Sequence, residues 1–84
     1  MKITGAHIFE TGEVIYSRAR HDFRWDDTRT VAVDGGFDYF KLCYTHRDSF
    51  EVVEFDLDVD KNTLLSDYNA GTDCYGSTTI EKIK

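Results

Sequence analysis

Hydrophobic and polar positions alternate along much of this chain. Between residues 13 and 25, Ile15, Ala19, His21, Phe23 and Trp25 share one parity, and Arg18, Arg20, Asp22 and Arg24 share the other. Successive strand side chains point to opposite faces, so the segment predicts a strand with one apolar and one charged face. The alternation returns with Val53, Phe55, Leu57 and Val59 against Glu54, Asp56, Asp58 and Asp60. Residues 30–33 and 37–45 are rich in β-branched and aromatic side chains and predict two more strands, with 3–9 and 80–83 as a first and a last. Turn chemistry separates them at 26–29, at Asp34-Gly35-Gly36, at 46–49 and at 61–62. A helix fits only 63–69, with Thr63 as its cap, and 66–79 otherwise reads as a long loop. The expected fold is mainly β: one domain over 1–84, an antiparallel sheet of about five to six strands with room for one short helix.

Composition bounds this picture. Eighty-four residues hold one small core. A hydrophobic fraction of 40% with 14% aromatic residues excludes a disordered tail. Such a core is marginal, which predicts homodimerisation through a sheet edge and exposure of some of Tyr16, Tyr44, Tyr68 and Tyr75. Sixteen acids against ten bases, net −6, argue against direct nucleic-acid binding, which runs on Lys and Arg neutralising phosphates. The acidity is uneven: residues 1–49 carry net −1 and residues 50–84 net −5. No apolar run approaches the ~20 residues of a membrane span, and the N-terminus lacks a signal-peptide core, so the expected location is the cytoplasm, with no membrane partner. Cys43 and Cys74 then read as small apolar groups rather than a disulfide.

The densest chemistry lies in Arg18-Ala19-Arg20-His21-Asp22-Phe23 and Val33-Asp34-Gly35-Gly36-Phe37-Asp38-Tyr39. An imidazole can act as a base near neutral pH, guanidiniums fork onto carboxylate or phosphate, and paired glycines let backbone N–H groups approach an anion. Arg18, Arg20, His21, Asp22, Asp34, Gly35, Gly36, Asp38 and Tyr39 are therefore candidate binding residues. The competing structural reading pairs Arg18 or Arg20 with Asp34 or Asp38 across adjacent strands and buries His21 in a hydrogen bond. No nucleophile stands out and no metal-ligand spacing is complete, so no catalytic residue, metal or cofactor is assigned. The row Glu54, Asp56, Asp58, Asp60 is a second candidate surface, repeating every ~6.6–6.8 Å on a strand. It reads either as a phosphate-like track, hence a DNA mimic, or as the charged guard of an edge strand. A calcium loop over 56–67 fails, with Lys61 where Gly is required.

The string Glu13-Val-Ile-Tyr-Ser17-Arg-Ala-Arg-His-Asp-Phe23, followed by Val33-Asp-Gly-Gly-Phe-Asp-Tyr39, resembles a family of short, uncharacterised phage and bacterial proteins with an S-x-x-R-H-D-F…V-D-G-G-x-D-Y motif. The resemblance covers residues 8–41, and 42–84 reads as an acidic extension. Relatives of this kind carry two cysteine pairs, as in a zinc ribbon. Here the matching positions hold Ile8, Thr11, Asp26 and Thr28, so that thiolate site cannot form. The resemblance implies kinship and phage origin and assigns no activity. The expected function is a non-enzymatic phage accessory protein that binds and inhibits a bacterial host protein, a restriction or other defence component. The alternatives are the DNA mimic and a small ligand-binding or hydrolytic module at His21 and Asp34.

Overall fold

The computed structural model describes residues 1–83. Seven antiparallel strands form two sheets: β1 (Lys2–Ile8), β2 (Glu13–Ile15), β6 (Phe50–Asp56) and β7 (Ser77–Thr79) in order β6-β1-β2-β7, and β3 (Arg24–Trp25), β4 (Val31–Asp34) and β5 (Lys41–Tyr44) in order β3-β4-β5. The mainly antiparallel β fold is as expected, with more strands and two helices, α1 (Lys61–Asn69) and α2 (Ile80–Ile83).

The four-stranded sheet is the middle layer. Its pleat sends Ile3, Val14 and Phe55 to one face, where they pack with Tyr16 and with Leu64 of α1. Ala6, Ile8 and Ile15 point to the other face and meet Val31 and Val33 of β4. β1 and β2 are buried on both sides, which explains why neither shows a clean polar face in sequence. Leu64 is fully enclosed, which is worth ~1.5–3 kcal/mol by apolar burial alone. Tyr16 meets Phe55 edge-on, centroids 5.5 Å apart, and burial pushes its hydroxyl pKa up. The second half of the chain is woven into this core, since all seven residues of β6 pair with β1.

Several expected elements differ, each for a local reason. The strand expected over 13–25 stops at Ile15: residues 16–23 fold into a loop closed by the Ser17 and Asp22 side chains, and Arg24–Trp25 joins the other sheet. The expected strand over 37–45 shrinks to Lys41–Tyr44, and the turn at 46–49 contains a 3₁₀ turn at Arg47–Ser49. The expected turn at 61–62 is the start of α1. Asp60, not Thr63, is the cap: its Oδ1 accepts from the Thr63 N–H at 2.8 Å and the Thr63 hydroxyl at 2.7 Å, and these bonds lower its pKa. The last strand is Ser77–Thr79, and residues 80–83 form one helical turn instead. Cys43 and Cys74 are both free; Cys43 is half-buried and Cys74 exposed, so neither is the enclosed apolar group expected. Of the four tyrosines, Tyr44 is exposed, Tyr68 and Tyr75 are half-buried and Tyr16 is enclosed.

Candidate functional site

The motif folds into two loops that lock together. Ser17 begins the lock: its hydroxyl donates to the Ala19 and Asp22 carbonyls, each at 2.8 Å, and accepts from the Gly36 N–H at 2.9 Å. Gly36 has φ 56°, and a β-carbon there would sit 2.4 Å from the Ala19 carbonyl carbon and 2.7 Å from the Arg20 nitrogen. Only glycine permits both the left-handed backbone and the close approach. Gly35 is enclosed in the same way, with the Tyr39 backbone and ring pressed against its α-carbon.

Arg18 is the centre of a buried ion triad. Its backbone N–H and its Nε both donate to Asp22 Oδ2 at 2.9 Å, while its Nη1 donates to Asp67 Oδ2 at 2.6 Å and the Thr72 carbonyl at 2.8 Å. The guanidinium lies over the Tyr68 ring, 5.6 Å from the centroid. All three charged side chains are at most 7% exposed. The hydrogen bonds that the guanidinium donates to Asp22 outweigh the opposing effect of burial and hold it protonated well above its ordinary range. Asp67 also accepts from the Thr72 hydroxyl and the Cys74 and Tyr75 N–H groups, and these bonds, the Thr72 bond foremost, hold its carboxyl well below the usual carboxylate range. The triad thereby ties the 17–22 loop to the end of α1 and to the segment that leads into β7.

This corrects the expected pairing for Arg18, which finds Asp22 and Asp67 rather than Asp34 or Asp38. The expected pair of Arg20 with Asp38 is present but loose, at 3.8 Å with both side chains more than half exposed. His21 is exposed rather than bonded in the core; its carbonyl, not its ring, accepts from the Tyr68 hydroxyl at 3.2 Å. Asp34 ends β4 opposite Lys41, with its Oδ1 buried and without a hydrogen-bond partner among the described residues. Two shallow clefts border the motif, one between Lys2, Ser17, Gly36 and Tyr39 and one between Arg20, Asp38, Lys61 and Leu65. Arg20 lines one of them but His21, Asp22 and Asp34 line neither, so the groups of the hydrolytic alternative do not converge there.

Sequence reasoning missed Asp67 as a partner of the motif. Its signal was present: Leu64 and Asp67 are three apart, on the same buried face of α1, and a carboxylate on an apolar helix face demands a cation.

Of the four positions that the resemblance matches to cysteines, Ile8 ends β1 in the core, Thr11 lies in the turn between β1 and β2, and Asp26 and Thr28 lie in the turn after β3. The Asp27 N–H donates to Glu13 Oε1 at 2.9 Å, joining that last turn to the start of β2. Asp26, 2% exposed, gathers that turn: its carboxylate accepts from the Thr28, Thr30 and Val31 N–H groups and the Thr28 hydroxyl. Burial pushes its pKa up, but the bonds from Thr28, Val31 and Thr30 outweigh burial and lower it. Among the described residues no group of three or more His, Cys, Asp or Glu side chains is placed to hold a metal ion.

The acidic row is shorter than expected. β6 ends at Asp56, Asp58 lies in a bend and Asp60 is committed to capping α1, so only Glu54 and Asp56 keep the strand spacing. β6 is nevertheless an edge strand, as its charges suggested. No described helix is long and apolar enough to cross a membrane. Neither a family model, nor a curated protein, nor a solved structure matches the chain.

Proposed function

We propose that this chain is a non-enzymatic accessory protein of phage type that binds and inhibits a bacterial host protein in the host cytoplasm, with a restriction or other defence component as the target class. The observation that carries the reading is the division of labour within the motif. Ser17, Arg18, Asp22 and Gly36 are consumed in holding two loops together, whereas Arg20, His21, Phe23 and Trp25 are left at the surface. Phe23 and Trp25 are 48% and 42% exposed and meet edge-on at 5.7 Å on the β3 edge. Exposed aromatic rings flanked by an arginine are the composition of interface anchors. Phe9, Tyr39, Phe40 and Tyr44 add exposed rings elsewhere. A homodimer formed through a sheet edge belongs to the same proposal, because so small a core leaves edge strands open.

The test is capture from bacterial lysate with the tagged chain, followed by an activity assay on the purified captured protein. The reading expects one saturable partner whose activity falls on addition of the chain. Recovery of nothing above background contradicts it.

A further inference from the structure

The outer side of β6 is a second open surface, distinct from the β3 patch. β6 pairs with β1 on one side, and among the described residues no strand pairs with the other. Met1 and Leu57 exchange both backbone bonds, at 2.8 and 2.9 Å, and the Phe9 N–H donates to the Ser49 carbonyl. In an antiparallel ladder this fixes the alternation: Glu51, Val53 and Phe55 turn their N–H and C=O groups toward β1, and Val52, Glu54 and Asp56 turn theirs outward. The side chains of those three share the face toward the second sheet, because Val52 lies opposite Ala6. Next to them runs a groove lined by Leu42 and Tyr44 of β5, Arg47, and Phe50, Glu51 and Val52 of β6, with Tyr44 tilted on Phe50 at 5.0 Å. Val52 is 52% exposed at its mouth.

We propose that this edge accepts an extended basic segment as an added strand, with an apolar side chain in the groove beside Val52 and lysine or arginine side chains opposite Glu54 and Asp56. Free backbone groups supply affinity in such strand addition, and alternate side chains supply specificity. An antiparallel guest therefore reads base-x-base-x-apolar. The Glu51 carboxylate lies on the opposite face, where His7 Nδ1 holds it at 2.8 Å, so the acids that meet the guest's lysines are Glu54 and Asp56. Lys2 touches Glu54 only at 3.9 Å with both side chains well exposed, too loosely to occupy it. A basic guest meets both carboxylates with opposite charge, whereas a second copy paired about Glu54 sets glutamate against glutamate, and like charges directly opposite are destabilising.

The probes are the peptide Thr-Lys-Thr-Lys-Thr-Leu-Thr, its rearrangement Thr-Lys-Lys-Thr-Leu-Thr-Thr, and the first peptide N-methylated at the amides that face β6. Each is titrated to millimolar concentration into the full chain by amide NMR. The inference expects shifts at Val52, Glu54 and Asp56 with the first peptide, binding about tenfold weaker for the rearrangement, and none for the methylated form. Glu54→Lys with Asp56→Lys should exchange the preference for Thr-Glu-Thr-Glu-Thr-Leu-Thr. Equal affinity for the two lysine peptides, indifference to methylation, no shift at the three residues, or a homodimer through β6 would each overturn it. A null result here leaves the host-protein reading intact, because lysate capture tests the β3 patch with different residues.

Discussion

Replacing Arg18 by methionine keeps an unbranched side chain over the Tyr68 ring but removes the cation between two enclosed carboxylates. Three short charge-assisted bonds are lost, to Asp22 at 2.9 Å, to Asp67 at 2.6 Å and to the Thr72 carbonyl at 2.8 Å. Removing one partner of a buried ion pair costs about 3–5 kcal/mol, mostly because the other charges stay behind unpaired. An 84-residue domain has a total stability of roughly 4–13 kcal/mol, so the variant should lose a large share of it. Urea unfolding followed by far-UV circular dichroism measures this directly; at about 1 kcal/mol per molar urea the midpoint should fall by roughly 3–5 M. Acid supplies the control for mechanism. Asp67 is held below its unfolded value partly by Arg18, so its contribution is complete above pH of about 3.9 and is lost as pH falls toward the folded value. The Arg18 share is absent from the variant, so the gap between the two proteins should narrow below pH of about 4. A loss under about 1 kcal/mol, or a gap independent of pH, would refute the assignment of Arg18 to the fold.

Other outcomes follow from the same geometry. Ser17→Ala leaves the Gly36 N–H without its acceptor and should cost about 1–3 kcal/mol by the same urea measurement. Gly36→Ala must place a β-carbon against the Ala19 and Arg20 backbone at a left-handed φ, and should cost at least about 2 kcal/mol. Asp26→Ala strips the acceptor from the Thr30 and Val31 N–H groups and should cost about 2–4 kcal/mol, with faster amide exchange confined to the 26–31 turn. Arg20→Ala with His21→Ala, by contrast, should change stability by no more than about 0.5 kcal/mol, because the His21 ring is exposed and the Arg20 guanidinium makes only a loose, exposed contact with Asp38.

The sheet class was legible because period-2 alternation survives wherever a strand has one exposed face, as β6 shows with Phe55 buried between exposed Glu54 and Asp56. It misled between residues 16 and 23, where the same parity belongs to a loop whose shape is set by Ser17 and Asp22 bonding to backbone. Side chains that bond locally compete with the ladder, and alternation carries no trace of that competition. Asp60 illustrates the same point: read as the fourth acid of a strand, it lies beyond the end of β6 and caps the start of α1.

The candidate site was legible as a cluster but not as a division. Arg18 and Arg20 sit two apart and look equivalent in sequence, yet one is enclosed and the other open. What separates them is Asp67, 49 residues from Arg18 and brought beneath the 17–22 loop by α1. Pairings of that range depend on how the helix packs, and no local pattern specifies the partner.

The most direct measurement of the central claim is a side-by-side capture from bacterial lysate with the wild-type chain, the Phe23→Ala/Trp25→Ala variant and the Ser17→Ala variant as baits. Binding through the exposed aromatic patch predicts one protein enriched by wild type, lost with the aromatic variant and retained by whatever Ser17→Ala remains folded. Equal enrichment by the wild-type and aromatic-variant baits, or no enrichment at all, would contradict it.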